Sequence, residues 1–599
     1  MNRTLAWALR LIIVIAGLVA YWNSLDGAFV YDDVPAILNN EMQLEADGLS
    51  YVQQSRRPLV ALSIWLNYTM GGLNPVGYHL FNLAIHLING LLLFELIRRL
   101  AGLVLKQDAS GLAFAASLLW IVHPMGTESV TYIIQRSEAM AATCMLVVLL
   151  AILATTTSRR PMAWAMTAIV AAMAGMMCKA TTISIAPVAF TMDALIISSS
   201  VLLAWRYRWG LYVALVLTSL LLVSSGVYSA IFASPTGSGS AVGFNIATRP
   251  WLDYAASQPG IILHYLGQSF WPNVLSIDPD FQPARSTAAV LWPGLIILVA
   301  LGLTVIAVIR RHPLAFPAAA FFLLLAPTSS IVPIQDLAAT HRMYLPLAAV
   351  IVIVVGCLLA VLRSLASRHT MTIGWIALAA VVISLTTRTI IRNRDFESPV
   401  TLWEATTQAT PGNHQAWMNL GVALDEAGRT DEALFHLAHA VSLDPMDPYT
   451  HLHYGAALLE TGSPGEAIRE LNEAVIGLKR HWILLGQAYL ANGELEQALA
   501  TFERARQANP LAEVSIRIGN ILMEAGHMDH SADIFRETAE SFPEPRLRAS
   551  ALFNLGNVFY RQEQFDDAIE AYEAALQAAP DHAGATHWLT EARNRQASS

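Results

Sequence analysis

Long apolar runs dominate the first two-thirds of the chain, and they constrain its fold more than any other feature. Between residue 5 and about residue 390, runs of nearly twenty residues recur, such as LAWALRLIIVIAGLVAYW, LWPGLIILVALGLTVIAVI and LAAVIVIVVGCLLAVL. A helix of about 20 apolar residues spans a hydrocarbon core of roughly 30 Å. The sequence therefore predicts an all-α, multi-pass membrane domain at residues 1–392. The first run is long for a cleaved signal peptide, so we expect it to be a retained helix.

Basic residues between these runs predict the topology. They are Arg98 and Arg99, Arg159 and Arg160, Arg206 and Arg208, Arg310 and Arg311, and Arg363 and Arg368. The positive-inside rule places these loops on the cytoplasmic side. The predicted crossings are residues 5–22, 78–98, 111–123, 138–157, 162–178, 182–202, 211–231, 288–309, 314–332, 345–363 and 372–390. Eleven crossings put the C-terminal part outside the cytoplasm. The outer segments would be 23–77, 124–137, the neighbourhood of Lys179, 232–287 and 333–344.

Composition excludes some classes of protein. Three cysteines cannot form a disulfide framework, so they do not indicate a compartment. The net charge is −9, and no basic stripe with interleaved aromatic residues is present, so we expect no nucleic-acid partner.

The last third of the chain repeats a two-helix unit. Small residues recur 34 positions apart, Gly421 with Gly455 and Gly428 with Gly462, and the unit continues through Gly486, Gly519 and Gly556. This period, with small residues where paired helices touch, is typical of tetratricopeptide repeats. We predict a junction helix at 393–412 and an α-solenoid at 413–599, with five repeats and a capping helix. Such solenoids bind partners in a concave groove, although a scaffold role is also open. Asn419 and Asn554 are candidates for binding an extended peptide acceptor.

Two adjacent carboxylates, Asp32 and Asp33, follow the first apolar run in the stretch GAFVYDDVPAI. Adjacent like charges are unfavourable unless water, a cation or a shared proton relieves them. The residues alone leave two interpretations open, an ordinary acidic turn or part of an enzyme's active site.

Further polar residues lie at membrane level. His79, Asn82, His86 and Asn89 are spaced to share one helix face, and the outermost, His79, is the site candidate. The outer segments add His123, Glu128, Arg136, Glu138, Lys179, Asp336, His341, Arg342 and Tyr344. Buried cations at such positions indicate either the phosphate of a lipid substrate or structural ion pairs, and spacing does not choose between them. Arg56 and Arg57 could steer an anionic headgroup or lie at the membrane interface.

A series of motifs resembles the transmembrane and tetratricopeptide-repeat O-mannosyltransferases and their bacterial relatives, in order over essentially the whole chain. They are FVYDDVPAI, RRPLVALSIWLNYTMGGLNPVGYHLFNLAIHL, HPMGTESVTYIIQRSEAMAA, CKATTISIAPV, WPNVLSID, HRMYLPLAAV and DFESPVTLWEATTQATPGNHQAWMNLG. The resemblance implies a GT-C glycosyltransferase fold and a polyprenyl-phosphate sugar donor. It also implies a site on the periplasmic or lumenal face.

The resemblance also implies roles for residues. One carboxylate of the Asp32–Asp33 pair, with Asp33 preferred, would be the general base toward a Ser or Thr hydroxyl of a protein acceptor. The other would orient the acceptor or bind a divalent cation, the only cofactor considered. Arg342, then Lys179, with His341 in support, would stabilise the leaving phosphate. The family usually has an acidic residue just before its R-Y/M-YLP motif, whereas THRMYLP places Thr340 and His341 there.

Three functional hypotheses follow. The first is an inverting protein O-glycosyltransferase whose repeats recruit the acceptor. The second is a non-catalytic membrane scaffold for envelope or secretory proteins, and the third is transfer to a glycolipid. Compact outer loops favour a bacterial inner membrane with periplasmic repeats over an endoplasmic-reticulum membrane with lumenal repeats. The sequence leaves the sugar, the acceptor and the oligomeric state open.

Overall fold

The computed structural model describes residues 3–224, 250–365, 368–478 and 481–598. The chain divides into two compact units, Met1–Pro411 and Gly412–Ser599, which we call the membrane unit and the repeat unit. The described residues contain helices and turns but no β-strand. The predicted fold class, all-α with membrane helices followed by tetratricopeptide repeats, is confirmed.

The membrane unit contains nineteen described α-helices. They are α1 Arg3–Tyr21, α2 Asp33–Ala36, α3 Glu41–Ala46, α4 Gly48–Gln54, α5 Pro58–Gly71, α6 Pro75–Leu105, α7 Ser110–Ile121, α8 Thr127–Val130, α9 Arg136–Thr155, α10 Pro161–Cys178, α11 Ile185–Met192, α12 Val201–Leu217, α13 Leu221–Ser224, α14 Trp251–Phe270, α15 Thr287–Ile309, α16 Ala315–Leu325, α17 Pro346–Ser364, α18 Arg368–Arg394 and α19 Pro399–Ala409.

Eight helical segments among the described residues are long and apolar enough to cross a membrane, compared with the eleven crossings predicted. They are Thr4–Asp26, Pro75–Leu105, Ile133–Thr155, Pro161–Cys178, Ala180–Ile197, Thr287–Ile309, Pro346–Ser364 and His369–Arg394. The predicted crossings 111–123 and 314–332 correspond to α7 and α16, which have 12 and 11 residues. Such helices are less than about 20 Å long at 1.5 Å per residue. The predicted crossing 211–231 breaks after Leu217, and residues 225–231 lie outside the described part.

Helix α14 lies in the segment 232–287 that we predicted to be an outer loop, and residues 232–249 of that segment are not described. The sequence did not predict this helix, because Pro259 and several polar residues lower the mean hydropathy of the segment below that of a membrane-crossing run. One face of α14 nevertheless packs into the membrane unit, where Tyr254 and Tyr265 are fully or almost fully buried.

Local sequence signals set several helix starts. Asn74 caps α6 by accepting the main-chain N–H of Val76 at 3.1 Å, and Pro75 follows at the first helical position. Ser398 and Thr401 form a reciprocal capping box at the start of α19. These caps fix where α6 and α19 begin, and both helices lie near the aspartate pair.

The repeat unit consists of five helix pairs and a final helix. They are α20 His414–Glu426 with α21 Thr430–Leu443, α22 Pro448–Glu460 with α23 Pro464–Leu478, α24 Trp482–Ala491 with α25 Leu495–Ala508, α26 Ala512–Glu524 with α27 Met528–Ser541, α28 Pro545–Arg561 with α29 Phe565–Ala578, and α30 Ala583–Ser598. Side chains on the second helix of each pair fill the space beside a glycine of the first. A Cβ on Gly486, for example, would lie 2.3 Å from the ring of Phe502.

Four of the five turns between paired helices contain a glycine with positive φ, and they are Gly428, Gly462, Gly493 and Gly526. The fifth turn has Glu563 in this conformation, with φ of 61°. Glycine adopts the left-handed region without a Cβ clash, whereas glutamate does not.

Candidate active site

The two aspartates of the first outer segment occupy different environments. Asp33 is fully buried. Its Oδ1 accepts the main-chain N–H of Ile134 at 2.8 Å, and its Oδ2 accepts that of Val30 at 3.1 Å. Asp32 is exposed, and its own main-chain N–H donates to the Tyr132 hydroxyl at 2.8 Å. The geometry therefore gives Asp33 a bracing position, whereas the Asp32 side chain is exposed beside the Tyr132 hydroxyl.

The protonation of Asp33 reflects two opposing effects. Burial raises the pKa of Asp33 to about 7, while the N–H groups of Val30 and Ile134 and the charge of Arg136 act to lower it. Desolvation disfavours a charged carboxylate, and hydrogen bonds to the carboxylate oppose that effect. Both carboxylate oxygens of Asp33 therefore accept a main-chain N–H.

Basic side chains gather at the start of α9. The Lys179 Nζ lies 2.8 Å from a Glu138 carboxylate oxygen and 3.4 Å from the Gln135 side-chain oxygen. An Arg57 guanidinium nitrogen donates to the Ser137 hydroxyl at 3.4 Å. The N-terminus of a helix also favours negative charge, because its first N–H groups point outward. The start of α9 is therefore electropositive, and the Glu138 carboxylate there is paired with Lys179.

Arg342 is held mainly by the main chain. Its guanidinium donates to the carbonyl oxygens of Leu337 at 3.0 Å and Asp336 at 2.8 Å, and it is mostly buried. It also borders a small cavity of about 30 Å³ whose polar lining includes Glu138 and Thr328. Arg342 therefore holds the turn of the outer segment 333–344 together through its bonds to Asp336 and Leu337, and it also lines the cavity.

His341 is linked to Glu128. The main-chain N–H of His341 donates to Glu128 Oε2 at 3.0 Å, and its ring Nδ1 lies 3.3 Å from the same oxygen. Burial raises the pKa of Glu128 to about 7, against the opposing charge of Arg392. Burial, together with the charges of Lys179 and Arg342, lowers the pKa of His341 well below its usual value. A neutral His341 ring can donate a hydrogen bond but supplies no cation.

The other membrane-unit candidates brace the site. Arg136 is fully buried and donates to Asn67 Oδ1 at 2.7 Å. His79 Nε2 lies 3.0 Å from the carbonyl oxygen of Gly27. His123 Nε2 lies 3.2 Å from the Ser269 carbonyl oxygen. These contacts show Arg136, His79 and His123 tying outer segments together.

Tyr344 connects the polar face of α6 with the small cavity beside Arg342. Its hydroxyl lies 2.8 Å from His86 Nδ1 and accepts a hydrogen bond from Asn89 at 3.2 Å, and its side chain also lines the small cavity. Both α6 residues are fully buried.

An apolar groove of about 550 Å³ adjoins the small cavity, and it was not predicted from the sequence. It is lined by residues of α6, α7, α9, α11, α16 and α17, and it shares Met145, Leu324 and Leu345 with the cavity. Toward its other end lie His312 and Arg363, on the predicted cytoplasmic side. Helices that are distant in sequence form it together, so no local motif could have indicated it.

The two repeat-unit candidates are half-buried on the first helices of their pairs. Asn419 lies on α20 and Asn554 on α28, where Asn554 Oδ1 accepts a bond from Asn557 at 3.4 Å. Within the described residues, no three His, Cys, Asp or Glu side chains are close enough to share a metal ion. Asp32 and Asp33 therefore lack a third acidic or imidazole ligand in this part of the chain.

Known proteins resemble both units. A tetratricopeptide-repeat family model matches residues 391–448, 477–513 and 516–583. The protein O-mannosyl-transferase TMTC3 of Mus musculus is 23% identical over 635 residues, which cover 94% of this chain and 63% of the relative. TMTC3 of Homo sapiens is 23% identical over 660 residues, covering 96% of this chain and 68% of the relative. Tmtc3 of Drosophila melanogaster is 33% identical over 174 residues, 23% of this chain and 18% of that protein. The family resemblance inferred from the motifs is confirmed. The chain spans just under two-thirds of the mouse relative's length.

Proposed function

We propose that this chain, as a relative of the transmembrane and tetratricopeptide-repeat O-mannosyltransferases, is a membrane glycosyltransferase. Its donor would be a polyprenyl-phosphate sugar and its acceptor a Ser or Thr hydroxyl of a protein bound by the repeat unit. We place the site on the periplasmic face of a bacterial inner membrane.

The observation that carries this proposal is the apolar groove ending at a polar cavity. An isoprenoid chain needs a long apolar surface, and its phosphate needs cations at one end. The groove supplies the first, and its shared residues Met145, Leu324 and Leu345 lead to the cavity beside Arg342. A non-catalytic scaffold would have no use for this combination.

The leaving phosphate would be stabilised by fixed cations. Arg342 borders the cavity, while Lys179 and Arg57 lie at the start of α9 beside Glu138. Preorganised positive groups stabilise charge as it develops on a leaving group, and they need no reorganisation during reaction. Arg57 joins the cations predicted from sequence, and His341 would contribute a neutral hydrogen-bond donor.

Asp32 is the carboxylate we assign as general base. It takes the proton of the acceptor hydroxyl as that oxygen bonds to the anomeric carbon. The bond between this carbon and the phosphate oxygen breaks, its electron pair leaves with the polyprenyl phosphate, and configuration inverts. The exposure of Asp32 supports this role, and the main-chain bonds of Asp33 support a bracing role.

The first test concerns the donor site. In Ala349→Trp, the indole should fill the groove, remove co-purifying polyprenyl phosphate and reduce transfer at least tenfold, in line with a blocked binding site. Ala379→Trp, on an exposed position of α18, is the matched control and should behave as wild type. If folded Ala349→Trp binds no donor lipid yet transfers sugar normally, the groove is not the donor site.

The second test concerns the reaction itself. Intact masses of envelope proteins are compared between cells with and without the gene, so that sugar and acceptor are read together. A hexose-sized mass difference on a secreted protein is expected. Identical masses in both strains, with purified protein inactive on polyprenyl-phosphate sugars, would favour the scaffold hypothesis.

A further inference from the structure

Tyr31, immediately before Asp32, has an unfavourable backbone conformation. Its φ is +51°, in the left-handed region. For a residue with a Cβ, this region is unfavourable because the Cβ lies too close to the following carbonyl oxygen. Bulky residues are rarely found there, and such outliers persist only where surrounding contacts impose them. Contacts elsewhere in the fold must therefore hold Tyr31 in place.

One contact comes from α19, the last helix of the membrane unit. The Tyr31 ring meets the Trp403 ring edge-on, with 5.3 Å between ring centroids. Trp403 is only 4% exposed, whereas Tyr31 is 46% exposed. Edge-to-face aromatic pairs add stabilisation beyond the burial of their surface. The exposed Tyr31 ring thus packs against a Trp403 side chain that is itself buried.

The neighbouring residues repeat this attachment. Val30 packs with Tyr132, Phe396 and Leu402 in one apolar cluster. The main-chain N–H of Ala28 donates to the Phe396 carbonyl oxygen at 3.1 Å. The loop before the aspartates is therefore docked on the segment that runs from the end of α18 into α19.

Asp32 also has a contact of its own that holds it in place. Its main-chain N–H donates to Tyr132, and the Tyr132 ring is stacked against Phe396 with 6.4 Å between centroids. The main chain at Asp32 is thus held by two contacts, the Tyr31–Trp403 ring pair and the Tyr132 hydroxyl. Both anchors depend on the segment leading into α19.

We propose that Tyr31 is a positioning residue, whose ring against Trp403 aims the Asp32 carboxylate at the acceptor hydroxyl. The proposal rests on the proposed function, because it assigns a direction to the base of that reaction. The ring acts through its aromatic contact, and the phenol hydroxyl is not required. A misplacement of about 1 Å in such a group can cost on the order of 100-fold in rate.

Three variants of the full-length protein test this. Tyr31→Gly removes the ring but suits the left-handed backbone, so its melting temperature should not fall. Its kcat for transfer should drop on the order of 10- to 100-fold, with the donor KM within about twofold of wild type. Tyr31→Phe keeps the ring and should retain wild-type kcat. Lys106→Gly relieves another positive φ, of 53°, at the far end of α6 and should leave transfer unchanged.

Amide hydrogen exchange of residues 27–37 provides a readout independent of catalysis. Faster exchange in Tyr31→Gly, but not in Tyr31→Phe, is expected. Wild-type kcat in Tyr31→Gly, unchanged exchange in that variant, or an equal loss of kcat in Tyr31→Phe would overturn the positioning role. Absence of transfer by the wild-type protein would instead overturn the proposed function.

Discussion

Replacing Asp32 and Asp33 one at a time by asparagine separates the chemistry of this loop from its folding. In Asp33→Asn, the amide keeps one acceptor oxygen but turns an NH₂ group toward either Val30 or Ile134. One buried main-chain N–H then loses its partner. Leaving a buried donor unsatisfied costs about 1–3 kcal/mol, so the free energy of unfolding should fall by this amount.

Asp32→Asn should have the opposite profile. The side chain is exposed and makes no comparable pair of main-chain bonds, so stability should change by less than about 0.5 kcal/mol. Loss of a general base reduces the rate by roughly 10²- to 10⁴-fold, and kcat for transfer should fall by that factor.

The assay pairs thermal unfolding of each purified variant in one detergent with sugar transfer from a polyprenyl-phosphate donor to a peptide acceptor. Asp33→Asn should lose transfer together with stability, whereas Asp32→Asn should lose transfer alone. An active Asp32→Asn, combined with an inactive and fully stable Asp33→Asn, would refute the assignment. The base would then be Asp33, as the sequence alone suggested.

Three further predictions concern other parts of the chain. Burial raises the pKa of Glu128 from 4.5 to about 7, so proton binding stabilises the fold below pH 4.5, and this stabilisation is lost as pH rises through about 7. Glu128→Gln should therefore flatten the decline in melting temperature between pH 5 and pH 8, and an equally steep decline would contradict this. Glu563→Gly should raise the free energy of unfolding of the repeat unit by about 1 kcal/mol, because glycine suits the positive φ. Glu570→Gly, at an exposed interior position of α29, is the control and should lower the free energy of unfolding by about 1 kcal/mol. Deleting residues 412–599 should reduce transfer to protein more than turnover of the donor lipid, and equal losses would argue against recruitment by the repeats.

The sequence predicted features that depend on local periodicity. The 34-residue spacing of Gly421 and Gly455 located the repeats, because each glycine makes room for a neighbouring side chain within its own helix pair. The spacing of His79 and Asn89 likewise identified a buried helix face, since four residues on one stripe of α6 must turn away from lipid.

Features set by tertiary contacts were not accessible in this way. Asp32 and Asp33 are adjacent and identical in chemistry, and contacts with distant residues, Ile134 with Asp33 and Tyr132 with Asp32, help to distinguish them. The sequence left Arg57 open between steering an anionic headgroup and lying at the membrane interface, because its contact with Ser137 joins residues that are 80 positions apart. Short helices such as α7 satisfied the hydropathy pattern but not the length of a membrane crossing.

The polar face of α6 has a consequence for how a donor could enter. Along this one helix, His79 bonds to Gly27, Asn82 to Val130, Asn89 to Ala139 and His86 to Tyr344, so each bond reaches a different segment of the outer surface. Separating these segments from α6 would break several buried hydrogen bonds together, each worth about 1 kcal/mol or more. The groove, by contrast, is lined by Cys357 and Val361, which are exposed on the side of the helix bundle. Under the proposed function, a lipid-linked sugar would therefore enter the groove sideways from the bilayer, without separation of the outer segments.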